Sequence, residues 1–295
     1  MPIAKTRSVL SGMRVKEAMR RQIVAVDHGQ TARYGIARMI KYKADLVLIT
    51  DDRAEPAGIV SKTDMTGAFY AGLPVDTALG DIMMGPLISC FADDPLEDAL
   101  ETMNLHGVHQ LFVKGADAGR FEGLLTFGDI LGLVYRYCHR CRKSHARRMS
   151  DGEDAVFPSD TLVEEVMTPD VMGCRVNDTL TLVMEMLSAQ RKSAVLVNDA
   201  GDKPAGVISK TDLVLAWYRE NDAQTLADAI MSVPVRSCHR KTTLTDAMAR
   251  MLVEDMGRIF VHDSDHGRIV GVLALADAAN QRSGTCKACV SSRLL

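Results

Sequence analysis

Aromatic residues make up only 5% of this 295-residue chain, with a single Trp, so the interior has to be built from Val, Leu, Ile, Met and Ala. No apolar run approaches the ~18 residues that a membrane-spanning helix needs. The net charge is only −3, so broad electrostatic binding to nucleic acid or anionic lipid is not expected. The opening residues Met1 to Arg7 lack the apolar core of a secretory signal. Seven cysteines is an odd number and a small one for this length, which argues against a secreted disulfide framework. A reducing, cytoplasmic setting is expected. What is plentiful is ordinary globular material. The apolar fraction is 47% and the charged fraction 25%, enough for one or two full cores and unlike a disordered chain.

The dominant feature is repetition. Pro56-Ala57-Gly58-Ile59-Val60-Ser61-Lys62-Thr63-Asp64 returns 148 residues later as Pro204-Ala205-Gly206-Val207-Ile208-Ser209-Lys210-Thr211-Asp212. The same offset carries Val15, Glu17 and Met19 to Val163, Glu165 and Met167, and Met83 and Cys90 to Met231 and Cys238. It also carries Cys138 and Cys141 to Cys286 and Cys289. The chain is a duplicated module, expected as domains 1–150 and 151–295. Each copy is itself double. Gly58-x-x-Ser61-x-x-Asp64 is echoed 65 residues on by Gly123-x-x-Thr126-x-x-Asp129. Gly206-x-x-Ser209-x-x-Asp212 is echoed by Gly271-x-x-Ala274-x-x-Asp277 at the same spacing. Four units result, near 15–71, 79–137, 163–219 and 226–282.

The first unit reads as β-α-β-β-α. Ile23–Val26 is a short β-rich run, and Thr31–Tyr42 places Ile36, Met39 and Ile40 at helical spacing. Leu46–Ile49 is a buried strand, Asp51–Arg53 a polar turn, Ala57–Val60 a third strand and Lys62–Tyr70 a second helix. Asp178 and Asp93 are expected as helix N-caps in neighbouring units. A unit this small cannot cover both faces of its sheet, so the units should pair. The fold class is α/β (α+β).

The lead-ins Val15-x-Glu17-x-Met19 and Val163-Glu164-Glu165-Val166-Met167-Thr168-Pro169, with four Gly-x-x-Ser/Thr-x-x-Asp closes at spacings of 65, 83 and 65, resemble the CBS domain. Members of that family pair their units into Bateman modules. The resemblance implies two such modules forming a disc, with regulatory binding of adenine nucleotides (AMP, ADP, ATP or S-adenosylmethionine) in clefts between paired units. If the modules lie head-to-head, the second and fourth units meet. The residues of the closes suit that chemistry. A strand ending in Ser and opening a helix leaves backbone N–H groups for a phosphate. A first-turn carboxylate can accept both ribose hydroxyls, and the glycine lets backbone approach a base.

Carried over from the family, Asp64 holds ribose with Ser61 and Thr63 near phosphate beside Gly58. Asp212 does so with Ser209 and Thr211 beside Gly206. Asp129 with Thr126 forms a third candidate, but Gly128 removes its second hydroxyl. Ala274 and Ala276 leave Asp277 alone, and the fourth unit is not expected to bind. The bland alternative is that each Asp merely caps its helix. Basic residues before the second strand are candidate phosphate partners: Lys43, His109, Arg258 and, foremost, Arg191 and Lys192.

Cys138-x-x-Cys141 and Cys286-x-x-Cys289 fall at matching points of the repeat. Four thiolates suit zinc or an iron–sulfur cluster. Redox dithiols or inert inherited thiols are the alternatives. The sequence thus poses a non-catalytic sensor with an unidentified regulated protein partner, a possible homodimer, against a metal or thiol redox protein with the units as scaffold. An enzyme is disfavoured, since no His base or nucleophile stands near the Asp residues and no Walker-type loop is present. The basic run Arg136–Arg148 lacks interleaved aromatics beyond Tyr135 and Tyr137, so a nucleic-acid partner is not expected.

Overall fold

The computed structural model describes Leu10 and residues 12–115, 120–140, 161–264 and 267–281, with backbone alone at 138–140. Four copies of one β-α-β-β-α unit are present, and the first shows why the sequence folds this way. Strand β1 (Ala25–Asp27) leads to helix α2 (Ala32–Tyr42), preceded by the short lead-in helix α1 (Val15–Ala18). Thr31 caps α2, its hydroxyl accepting the Tyr34 N–H at 3.2 Å. Ala32, Ile36 and Met39 form the buried face. The helix is the crossover that a parallel pairing requires, and β1 pairs in parallel with β2 (Leu46–Thr50), Ala25 opposite Leu48. A turn at Asp51 then returns the chain antiparallel as β3 (Pro56–Ser61), with Leu46 opposite Ser61. Helix α3 (Lys62–Tyr70) closes the unit. Leu46, Val47, Leu48 and Ile49 are all buried, as a strand covered on both faces should be.

The second unit repeats this with α4 (Leu79–Ile82), β4 (Ser89–Phe91), α5 (Leu96–His106), β5 (Gln110–Lys114), β6 (Phe121–Thr126) and α6 (Phe127–Arg140). The third has β7 (Gly173–Arg175), α7 (Leu180–Ala189), β8 (Ala194–Asn198), β9 (Pro204–Ser209) and α8 (Lys210–Tyr218). The fourth has β10 (Ser237–His239), α9 (Leu244–Val253), β11 (Arg258–His262), β12 (Ile269–Ala274) and α10 (Leu275–Ala279). Every sheet has three strands in sequence order. The expected N-caps shift. Thr179 and Pro95 occupy the N-cap positions. Asp178 accepts the Arg175 N–H at the end of β7, and Asp93 pairs with Lys16. Among the described residues no helix is long and apolar enough to cross a membrane.

Two compact bodies result, and each draws on both copies. One gathers the described residues of Ile23–Leu87 and Val171–Arg236; the other gathers those of Met1–Gln22, Ile88–Asp170 and Ser237–Leu295. In the first body, Ile36, Met39, Val47 and Met65 share a core with Val183, Val195, Ile208 and Leu213. Trp217, 3% exposed, stacks near Phe69 and donates its indole N–H to the Leu73 carbonyl at 3.0 Å. In the second body, Leu100, Leu111, Ile130 and Leu131 share a core with Met248, Met251, Ile259 and Leu273, so the second and fourth units do meet.

The lead-ins are exchanged between units. Met84 forms a two-bond backbone bridge with Ile59 (2.9 and 2.8 Å), reaching back to the first unit. Arg20 bridges Leu124 of the second unit in the same way (2.9 Å both ways). Ser232 bridges Val207 and Thr168 bridges Val272. The approach of backbone is close enough to dictate glycine beside the first two of these bridges. A Cβ on Gly58 would lie 2.9 Å from the Met84 carbonyl oxygen and 3.2 Å from the Met83 sulfur. On Gly123 it would lie 2.4 Å from the Arg20 carbonyl oxygen.

The same substitution should therefore change sign within one helix and its preceding strand. Gly58→Ala meets backbone and should destabilise by about 1–3 kcal/mol. Gly67→Ala, within α3 and with nothing inside 4 Å of the added Cβ, should stabilise by about 0.5–1 kcal/mol through helix propensity. Urea unfolding followed by Trp217 fluorescence measures both in one body, and equal effects would contradict this packing.

Candidate functional site

The candidate site is the junction of the third strand with the following helix. Antiparallel pairing brings the start of the second strand to this same end of each unit. At the first junction, Ser61 donates both its backbone N–H (2.8 Å) and its hydroxyl (2.6 Å) to Asp64 Oδ2. In return Ser61 Oγ accepts the Asp64 N–H at 3.3 Å. This is a reciprocal capping box. The arrangement recurs at Thr126/Asp129 (2.9 and 2.6 Å) and at Ser209/Asp212 (2.7 and 2.5 Å). At the fourth junction the Ala274 N–H reaches Asp277 Oδ2 at 2.8 Å, and alanine has no hydroxyl to add to it. The capping alternative is thus realised in all four units, with one oxygen of each carboxylate engaged by it.

The second oxygen distinguishes the junctions. Asp64 Oδ1 has no partner among the described residues. Asp212 Oδ1 accepts the Ser232 hydroxyl at 2.8 Å. Asp129 is held by Arg20, whose Nε lies 3.0 Å from Oδ1 and 3.2 Å from Oδ2, and whose Nη2 lies 2.9 Å from Oδ1. The two partners, Ser232 and Arg20, are bridging residues of the exchanged lead-ins, and Met84 holds the same place beside Asp64 without bonding to it. Local sequence reasoning missed all three. The signal that could have found them is the residue following each repeated Met at 19, 83, 167 and 231.

The remaining expected residues fall as follows. The Lys62 N–H is taken by the Asp45 carbonyl at 3.0 Å, so fewer helix-start amides are open to a phosphate than expected. Thr63 accepts a hydrogen bond from Lys210 Nζ at 2.8 Å, inside the same compact body. Thr211 is half-buried in the first turn of α8. The space beside Gly58 and Gly206 is occupied by Met83–Met84 and Met231 rather than left for a base. Lys43 and Arg191 are exposed at left-handed positions (φ 50° each), and Lys192 is half-buried. They lie just before β2 and β8 and so at the same end of their units as the junctions. His109 meets Phe127 edge-on with centroids 5.8 Å apart, and Arg258 pairs with Ala274 across the sheet.

Cys141, Cys286 and Cys289, and the side chain of Cys138, lie outside the described residues. Cys90, Cys174 and Cys238 are buried strand residues. Burial pushes the Cys90 thiol up to about 12 and that of Cys174 to about 11, which leaves them protonated and unreactive. Among the described residues, one set of potential metal ligands lies close together: Asp27, His28 and Asp52. It sits at the β1 end and the β2–β3 turn, the opposite end of the first unit from Asp64. The hydrogen bond from His28 Nε2 to Asp52 Oδ1 (3.0 Å) holds the imidazole above its ordinary value, helped by the charges of Asp52, Asp27 and Asp51.

A raised folded value means that this pair stabilises fully below the unfolded pKa and is lost as pH rises through the folded one. An NMR titration should give His28 a pKa above 6.5 that falls on Asp52→Asn. An unchanged midpoint in the variant would remove the pairing as its cause.

A family model described as the CBS domain matches residues 15–71, 79–136, 163–219 and 227–283, most of the chain. A Methanocaldococcus jannaschii protein proposed as an archaeal homologue of γ-AMPK superposes over 91% of this chain and 99% of its own, with a TM-score of 0.74 at 17% identity. A conserved protein of Pyrococcus horikoshii covers the same shares with a TM-score of 0.58, also at 17% identity. Among sequence relatives, a protein of Methanopyrus kandleri is 28% identical over 118 residues, 39% of this chain. That match spans only 59% of the relative's length. The likeness to the two solved structures is one of fold.

Proposed function

The chain belongs to the CBS-domain family, and on that premise we propose that it is a non-catalytic sensor binding an adenine nucleotide at the junctions around Asp64 and Asp212. The observation that carries this reading is the division of labour within the Asp64 carboxylate. Its Oδ2 satisfies the helix cap, while Oδ1 has no partner among the described residues. Capping and ligand binding are therefore compatible in one side chain, and the free oxygen is an acceptor for ribose hydroxyls. At Asp212 the corresponding oxygen already accepts a neutral hydroxyl from exposed Ser232, a bond of the kind a ribose hydroxyl can replace. Thr63 and Thr211 in the first helical turns, with Lys43, Arg191 and Lys192 at the same end of their units, supply groups suited to phosphate.

Sensing requires only that the nucleotide bind one arrangement of the units better than another, the difference in affinity being the signal passed to a regulated protein. Calorimetric titration with AMP, ADP, ATP and S-adenosylmethionine tests the reading. At least one should bind, and Asp64→Ala and Asp212→Ala should each delete a site. The lost caps should lower stability by about 1 kcal/mol each, too little to unfold the chain. No heat and no thermal shift with any of the four compounds would refute it.

A further inference from the structure

We propose that Arg20 is a built-in occupant of the second junction, closing the Asp129 site to nucleotide and leaving ligand to the first and third units. This rests on the nucleotide reading above and specifies which junctions act. The geometry is that of a filled site. The Arg20 backbone is fixed by its two-bond bridge to Leu124, which aims the side chain along the end of β6. Its guanidinium then touches both oxygens of Asp129, and Nη2 also reaches the Thr126 hydroxyl at 3.5 Å. These are the groups that a ribose would have to use. The Asp129 side chain is only 12% exposed beneath it, while that of Arg20 is 49% exposed.

A ligand entering here must break a charge-assisted, two-oxygen contact and replace it with neutral hydroxyl donors, which are the weaker partners of a carboxylate. It would also leave the guanidinium without its counter-charge. At the first junction the structurally equivalent residue is Met84, which offers nothing to Asp64. At the third it is Ser232, which offers one hydroxyl to Asp212. The four bridges thus share a backbone, while the side chain they carry ranges from none of the ligand's contacts to nearly all of them. Gly128, standing where the first and third units have Thr63 and Thr211, removes a ligand contact from the same junction and agrees with a site given over to the protein itself.

Calorimetry with ATP and with AMP on the full chain decides it. Arg20→Met, which installs the residue found at the first junction and keeps the backbone bridge, should bind one more equivalent of nucleotide than the parent. The added site should disappear in Arg20→Met/Asp129→Ala. In the parent background Asp129→Ala should leave the stoichiometry unchanged, whereas Asp64→Ala lowers it by one; this arm needs no change at Arg20. Failure of Arg20→Met to gain a site while Asp64→Ala still loses one would overturn the Arg20 assignment and leave the sensor standing. Weakening by about tenfold or more in Arg20→Met would make Arg20 a phosphate ligand, also overturning it. Absence of binding by parent and variants alike would sink the nucleotide reading itself.

Discussion

The structure depends on a backbone bridge made four times. In each unit, a residue of the third strand exchanges two hydrogen bonds with the residue after a repeated methionine, and that methionine belongs to the neighbouring unit in sequence. The bridge backbone crowds the adjoining strand position at Gly58 and Gly123, and the side chain of the repeated methionine crowds it at Gly206 and Gly271. The bridge also means that no junction is the property of one unit. The strand, the cap and the carboxylate come from one stretch of chain, and the group facing the carboxylate comes from another. The bridge is made by backbone atoms alone, so it does not depend on the side chain it carries. That freedom is what lets four similar backbones present four different surroundings to an aspartate.

The carboxylates show how a helix cap leaves part of an aspartate open to a second role. An ionised carboxylate accepts through two oxygens. The cap uses one of them. The other is open at Asp64, lightly engaged at Asp212 and held by a guanidinium at Asp129. Asking whether the motif aspartate caps the helix or binds a ligand therefore sets up a false choice. All four cap, and the lead-in residue decides what else each can do.

Much of the architecture was legible in the residues. The 148-residue offset set out the repeat without a gap, and Lys62–Tyr70 was bounded correctly because Ser61 and Asp64 mark its start. Leu46–Ile49 could be read as a strand covered on both faces from its unbroken apolar run. The N-caps at Asp178 and Asp93 were misplaced because an Asp just before a helix can instead accept an N–H from the end of the preceding strand, as Asp178 does from Arg175. The Arg20–Asp129 contact joins residues 109 apart in the chain, and nothing in the local pattern of either announces it. The sharing of cores between units one and three, and between two and four, was only partly visible. The repeat showed that the units correspond, while the contact itself is made through helix faces such as that of α8 with Trp217.

Duplication makes the division of sites intelligible in energetic terms. A junction filled by Arg20 contributes its ion pair to the folded state at every ligand concentration, whereas an open junction contributes only when ligand is present. Were all four filled from within, nothing would respond; were all four open, each would leave a carboxylate oxygen unpaired in the unliganded chain. On the sensor reading, a nucleotide at Asp64 lies against Met83–Met84, and that segment runs within a few residues into β4 of the second unit. The ligand of one unit therefore contacts the lead-in of the next. On that reading the residues beside the first junction and the entry to the second unit are one stretch of chain, and a ligand acts on the protein only through a difference in its affinity for two placements of that stretch.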